Sequence, residues 1–265
     1  MPSALITGGS SGIGLAIARM LHDEGHGLTL AARKVERLEA AAAELGATAV
    51  AVDVRDEDDC ARLVATHLET HGGLDVLVNS AGVGIAGRIG DMETKQFDLQ
   101  LSVNLRGAFL VTRAALPALR ETRGYVVNLA SIAGTIPTPG LAGYGAAKAA
   151  LVSLSRSLAR EEAETGVRVT AVCPAFVDTP RATWTGLESE AMIQPEDCAG
   201  LRWSSARTSS AQSSGWIIAS DSRPVHVAIG VSTKAGHTAV TRTPVSASSR
   251  ASDRLNETSA AFAAP

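Results

Sequence analysis

From residue 2 to about 198, short runs of consecutive apolar residues alternate with stretches whose apolar positions recur every third or fourth residue. The runs are Ala4–Thr7, Leu28–Ala31, Ala49–Val52, Leu74–Val78, Tyr125–Leu129 and Val167–Cys173. Such continuous hydrophobicity suits parallel strands covered on both faces better than half-exposed strands of period two. Between them the spacing predicts helices. Val35, Leu38, Ala42 and Leu45 share one helical face, and Cys60, Leu63, Val64, His67 and Leu68 form another stripe. The acidic run Asp56–Asp59 opens that second helix, where the positive end of the dipole favours it, and His71-Gly72-Gly73 closes it. Repeated strand–helix–strand units predict an α/β fold: a doubly wound, Rossmann-like parallel sheet with helices on both faces.

The pattern breaks at about residue 198. About 20 of the last 67 residues are Ser or Thr, and seven Lys or Arg face only three acids, Asp221, Asp253 and Glu257. We therefore expect a dinucleotide-binding and catalytic domain over 1–197, an atypical C-terminal part over 198–242, and a disordered tail over 243–265. Within the atypical part only Trp216-Ile217-Ile218 and Val225–Ile229 have strand composition. The second is the better candidate to cover the edge left by the last parallel strand, which would otherwise be an aggregation template.

Length and charge narrow the function without naming it. The chain has 265 residues with 24 Lys+Arg against 27 Asp+Glu, a formal net charge of −3. No basic stripe points to nucleic acid or an acidic membrane, and no apolar run approaches the roughly 20 residues of a membrane span. The N-terminal residues lack the charged and apolar regions of a secretion signal, so a cytoplasmic protein is expected. Cys60, Cys173 and Cys198 are far apart, and the six histidines make no motif with metal-ligand spacing. Cys60 and Cys173 read as core residues, and no metal site is expected.

The candidate chemistry lies at the ends of the predicted strands. The first strand runs into Thr7-Gly8-Gly9-Ser10-Ser11-Gly12-Ile13-Gly14 and then an apolar helix. Glycines at such a junction let backbone N–H groups approach a pyrophosphate at the positive helix end. The second strand ends Ala32-Arg33-Lys34, with no carboxylate where an NAD site holds its ribose. A guanidinium there can pair with a 2′-phosphate, which favours NADP over NAD. Asp53-Val54 follows the third strand, where Asp53 either faces the cofactor crevice or caps the next helix. Asn79-Ser80-Ala81-Gly82 follows the fourth and puts small residues where a backbone passes something flat. Tyr144 and Lys148 stand at i, i+4 on one helical face. A neighbouring positive charge favours phenolate and lowers a tyrosine pKa from about 10 toward neutrality, as a proton donor to a carbonyl requires. Ser131 ends the fifth strand, within reach of that phenol.

Taken in order, these stretches resemble the short-chain dehydrogenase/reductase family, in its compact branch. The matching positions are Thr7-Gly8-x-x-x-Gly12-x-Gly14, Asp53, Asn79–Gly82, Asn104 in Ser102-Val103-Asn104-Leu105, Ser131, Tyr144-x-x-x-Lys148, and Pro174 through Thr179. The resemblance implies that Tyr144 is the general acid/base and that Ser131 polarises the substrate oxygen. It implies that Lys148 holds the nicotinamide ribose and tunes Tyr144, and that Asn104 interrupts its helix and holds a relay water. It further implies that Gly8, Ser10, Ser11, Gly12, Ile13, Gly14, Asn79, Ala81, Gly82 and Pro174 line the cofactor. Asp53 and Val54 would take the adenine, and Val177 and Thr179 the carboxamide, presenting the pro-S hydride. Homodimers or homotetramers would pair through Leu105–Arg120 and Tyr144–Glu164.

Two departures stand out. Pro174-Ala175 replaces the family's Pro-Gly, which matters if that position needs positive φ. After Gln194-Pro195-Glu196-Asp197 the expected apolar helix and final strand are missing. An altered reading frame or a recent divergence accounts for such an end. The expected function is therefore an NADP(H)-preferring oxidoreductase interconverting a small-molecule carbonyl compound and its alcohol. The competing class is a dinucleotide-binding relative that is non-catalytic, or impaired by the altered C-terminal part. The segment Pro180–Gln194, with Trp184, Leu187, Met192 and Ile193, reads as an apolar lid, and Ile132, Ala133, Leu141 and Phe176 as the rest of the pocket wall.

Overall fold

Each apolar run becomes a strand, most of them covered on both faces; the exception to the expected burial is the edge strand Thr48–Ala51, where Val50 is buried while Ala49 and Ala51 are exposed. The computed structural model describes residues 1–175, 177, 179 and 194–196, and the backbone of 218–219. The strands are β1 (Ser3–Thr7), β2 (Gly27–Ala32), β3 (Thr48–Ala51), β4 (Val76–Asn79), β5 (Tyr125–Leu129) and β6 (Arg168–Val172). They alternate with helices α1 (Gly12–Asp23), α2 (Val35–Leu45), α3 (Glu57–His71), α4 (Thr94–Leu101), α5 (Gly107–Thr122) and α6 (Ala142–Glu161). The sheet order is β3-β2-β1-β4-β5-β6, all parallel, with the order reversing at β1. The crevice outside the strand carboxyl ends at such a switch point is where this architecture places a ligand.

One apolar core lies on each side of the sheet. Ile6, Ile17, Leu21, Leu30 and Leu38 pack on the side of α1 and α2. Leu5, Leu63, Leu74, Leu77, Val111 and Leu119 pack on the side of α3 and α5. The α2 stripe needs one correction, since Val35 is 48% exposed and Ala41 takes its place beside Leu38, Ala42 and Leu45. Val35 is the first residue of the helix, before the turn has met the sheet. Cys60 and Cys173 are buried, and burial pushes both thiols up to about 11, as inert core residues.

The edge of β6 also differs from expectation. Its partner is a two-residue strand β7 (Ile218–Ala219), antiparallel, in register with Val172 and Ala171. The edge is thus met from the Trp216–Ile218 candidate, while Val225–Ile229 and the tail from 243 lie outside the described residues. Among the described residues, no helix is long and apolar enough to cross a membrane, and no group of three or more His, Cys, Asp or Glu could hold a metal ion.

At the opposite end of the sheet from the crevice, His67 is wholly buried. Its Nε2 donates to the Gly73 carbonyl at 3.1 Å, so in the neutral ring Nδ1 accepts from the Thr29 hydroxyl at 2.8 Å. Burial, with the neighbouring His71 ring 4.7 Å away, pushes its pKa down to about 4. The unfolded chain therefore takes up this proton near pH 6.5 while the fold refuses it until about pH 4. Stability from this group is complete above the higher value and lost as pH falls to the lower, about 3 kcal/mol in all. Urea midpoints at pH 7 and pH 4.5 should show a smaller drop for His67→Gln than for wild type. Equal drops would mean that His67 does not carry the acid sensitivity.

Candidate active site

The turn between β1 and α1 is built so tightly that its glycines have no substitutes. Gly8 and Gly12 hold φ of 69° and 55°, in the left-handed region. A methyl group on Gly8 would lie 2.8 Å from the Ala81 nitrogen, and one on Gly14 would lie 2.5 Å from the Gly8 carbonyl oxygen. The Gly8 N–H donates to the Ala31 carbonyl at 2.7 Å, tying the turn to the end of β2. Ser11 stands at the N-cap of α1 without a side-chain cap bond, and the first turn carries no acid. Ser10, Ser11, Gly12 and Ile13 are half-buried around this helix end. Cβ-free glycines, an uncapped positive helix terminus and no nearby carboxylate fit a pyrophosphate cradle.

Two strand ends flank the cradle. Arg33 is exposed just past β2, and its charge lowers the Asp53 carboxyl together with a stronger partner, Arg55. Arg55 Nε donates to both Asp53 carboxylate oxygens, at 3.0 and 2.9 Å, and its backbone N–H to Oδ1 at 3.0 Å. Hydrogen bonding to Arg55 holds Asp53 below the usual carboxylate range. The capping alternative for Asp53 is overturned, because Asp56 caps α3 by accepting from the Asp59 N–H at 2.9 Å. Val54 lies beneath α5, where a methyl on Gly107 would meet its Cγ2 at 2.8 Å.

The residues of the proposed proton chemistry converge where α4, α5 and α6 meet the carboxyl ends of β4 and β5. Between α4 and α5 the helix widens into a π-turn, Ser102–Arg106, around Asn104. Such a turn often marks a functional site, because it displaces one residue from the regular ladder. Asn104 Oδ1 accepts from the Val83 N–H at 2.9 Å, and its Nδ2 donates to the Val83 carbonyl at 2.7 Å. Lys148 is buried; its Nζ donates to the Leu129 carbonyl at 2.6 Å and lies 5.7 Å from the centroid of the Tyr144 ring. A methyl on Gly82 would fall 2.9 Å from Asn104 Oδ1 and 3.6 Å from Lys148 Nζ, so Gly82, Asn104 and Lys148 share one small space.

Ser131 caps the short 3₁₀ turn Ile132–Gly134, its hydroxyl accepting from the Ala133 N–H at 3.2 Å. That turn packs backbone to backbone against α6. A methyl on Gly145 would lie 2.5 Å from the Ala133 carbonyl oxygen, and one on Gly134 would lie 2.7 Å from the Ala149 nitrogen. Contact this close draws the Ser131 turn against the helix that carries Tyr144. The Ile132 N–H donates to the Pro174 carbonyl at 2.9 Å, joining the same turn to the segment after β6. Among the described residues, Arg123 is the one non-glycine residue with positive φ, so Ala175 needs no glycine.

Thr179 lies against the glycine turn, since a methyl on Gly12 would lie 3.1 Å from its Cγ2, and Val177 is buried. Phe176 and the lid residues 180–193 lie outside the described residues. The Asn79 side chain takes a different direction from the expected one. Its Nδ2 donates to Thr112 Oγ1 at 2.9 Å and to Asn128 Oδ1 at 2.8 Å, and Asn128 donates to Ser155 at 2.9 Å. This buried chain ties β4 and β5 to α5 and α6, so Asn79 supports the crevice floor. A polar Asn128 inside an apolar strand was the one sequence signal for it. Thr7 Oγ1 accepts from the Ala81 N–H at 3.2 Å, which locks the small Ala81-Gly82 segment beside the glycine turn.

Comparison with known proteins bears on this arrangement. A family model described as short chain dehydrogenase matches residues 2–188. An uncharacterized oxidoreductase of Staphylococcus epidermidis is 37% identical over 199 residues, covering 74% of this chain and 86% of the relative. One from Staphylococcus aureus is 36% identical over 200 residues, covering 74% and 87%. Among solved structures, a 3-ketoacyl-(acyl-carrier-protein) reductase from Brucella melitensis complexed with NADH matches at a TM-score of 0.71 and 33% identity, over 75% of this chain and 87% of that one. An alcohol dehydrogenase from the archaeon Thermococcus sibiricus complexed with 5-hydroxy-NADP matches with the same score, identity and coverage.

Proposed function

The chain belongs to the short-chain dehydrogenase family of NAD(P)-dependent oxidoreductases, and on that premise we propose that it reduces a ketone or aldehyde, or oxidises the matching alcohol, with preference for NADP(H). The observation that carries the proposal is the shared space of Tyr144, Lys148 and Asn104 beside the Ser131 turn, at the end of the sheet where the glycine cradle opens. NADPH when bound supplies the hydride. Tyr144 gives its phenolic proton to the substrate oxygen, and Ser131 can donate its hydroxyl hydrogen to that same oxygen while accepting from Ala133. Lys148 sits beside the phenol as a fixed positive charge, oriented by Leu129. Both ends of the Asn104 amide are engaged by Val83, which holds the side chain in one orientation beside Lys148 and Gly82. Similarity to a 3-ketoacyl-(acyl-carrier-protein) reductase and to an alcohol dehydrogenase supports including ketoacyl thioesters and alcohols among the substrates to be tried. A panel of carbonyl compounds, followed by NADPH and NADH oxidation, tests the proposal; no turnover of any would favour a non-catalytic dinucleotide-binding role.

Cofactor choice should turn on Arg33. Ala32 offers no carboxylate to a ribose 2′-hydroxyl, while the exposed guanidinium beside it can meet a 2′-phosphate. Ala32→Asp combined with Arg33→Ala should weaken NADPH binding about ten- to a hundredfold and strengthen NADH binding, from loss of a charge-assisted contact. Direct titration with both dinucleotides reads this. A wild type that already prefers NADH would remove the basis for the assignment.

A further inference from the structure

Gln100 is a fully buried amide that the proton chemistry above leaves unused. It lies in α4, one helical turn before Asn104 and on the same face. Its Oε1 accepts from the Ile85 N–H at 3.0 Å, while Asn104 takes both backbone groups of Val83. Two buried amides therefore grip residues 83 and 85, with Gly84 between them. A methyl on Gly84 would lie 3.8 Å from Cδ2 and Cε2 of Tyr144, so the gripped segment faces the phenol ring.

The other end of the Gln100 amide meets the helix that carries Tyr144. Nε2 is directed at Met92 Sδ, 3.8 Å away, and a methyl on Gly143 would come within 2.9 Å of that nitrogen. Gly143 immediately precedes Tyr144 in the first turn of α6. Packing alone asks for an apolar residue of this length, because burying an amide costs free energy unless its bonds are made. The Ile85 N–H is the bond that accounts for it. We propose that Gln100 is a positioning residue that fixes the Tyr144 phenol from two sides, through the Val83–Ile85 segment and through Gly143; this rests on Tyr144 being the proton donor. A displacement of about 1 Å at a reacting group can cost on the order of a hundredfold in rate.

The sequence contains only two tyrosines, Tyr125 and Tyr144. In a Tyr125→Phe background, phenolate difference absorbance against pH therefore reports Tyr144 alone, independently of turnover. Tyr125 lies at the far end of β5 and bonds Thr170, outside the site. Gln100→Met keeps length and removes the Ile85 acceptor, whereas Gln100→Glu in its protonated form keeps that acceptor. Gln100→Met should lower kcat per NADPH-binding site about tenfold and move the phenolate midpoint by about half a unit or more, with NADPH affinity nearly unchanged, and Gln100→Glu, assayed below the pH at which its carboxyl ionises, should recover most of the rate. If Gln100→Met does not fold, Gln100→Asn, which shortens the amide by one methylene, should shift the midpoint in the same sense. An unmoved midpoint, or a loss of rate explained wholly by fewer cofactor-binding sites, would overturn the proposal. Failure of the proton-donor assignment itself would appear separately, as an active Tyr144→Phe.

Discussion

Tyr144→Phe is expected to lose about 10²–10⁴-fold in kcat while binding NADPH almost as wild type does. The substitution removes one hydroxyl and leaves the ring beside Lys148 and the Gly84 segment, so the crevice keeps its shape. The phenol supplies a proton in the transition state and contributes little to holding a dinucleotide, so kcat and kcat/KM should fall together. Lys148→Ala should behave differently. It removes a buried cation that bonds the Leu129 carbonyl and lies 5.7 Å from the centroid of the phenol ring, and both turnover and cofactor affinity should drop. Steady-state kinetics paired with fluorescence titration of NADPH separates the two. More than about a tenth of wild-type kcat in Tyr144→Phe would remove Tyr144 from the proton path.

Gly14→Ala should weaken cofactor binding at least about tenfold through a single methyl group. That methyl would lie 2.5 Å from the Gly8 carbonyl oxygen and 2.9 Å from the Gly8 carbonyl carbon, both main-chain atoms that no rotamer change can clear. The turn must move, and with it the N–H groups that would meet the pyrophosphate. Overpacking of this kind costs about 1–3 kcal/mol in stability, and NADPH affinity should fall at least about tenfold. Gly25→Ala is the control. Gly25 has φ of 82° but open space around its would-be Cβ, so the change strains a surface turn and leaves the cradle alone. It should lower the melting temperature without altering NADPH affinity. Unchanged affinity in Gly14→Ala would mean that the glycine turn is merely tight and holds no phosphate.

The sheet was legible in the sequence because its inner strands are largely apolar, a consequence of being covered on both faces, whereas the edge strand β3 buries Val50 between exposed Ala49 and Ala51. All six parallel strands fall within two residues of the runs that announced them, and β5 coincides with Tyr125–Leu129. The glycine turn and the Tyr144–Lys148 pair were equally readable, since each is a local motif whose spacing alone fixes a backbone turn or a helical face. Ends of elements were less so. Val35 carries the right residue type for its stripe yet projects into solvent, because helical period says nothing about where the sheet begins to cover a helix.

What the tertiary structure alone decided was the partner of each polar side chain. Asp53 and Asp56 are two acids three positions apart, and only folding showed that Arg55 holds the first while the second caps α3. Asn79 stood in a stretch expected to meet cofactor, yet its amide turns to Thr112 and Asn128, residues 33 and 49 positions away. Gln100 had no signal beyond its spacing from Asn104, and its bond to Ile85, 15 positions back, arises only once α4 packs against the segment that follows β4. Periodicity records which face of a residue is covered, so it passes directly from sequence to fold. Hydrogen-bond partnership depends on distance and direction between segments, and those exist only once the sheet order has brought the segments together.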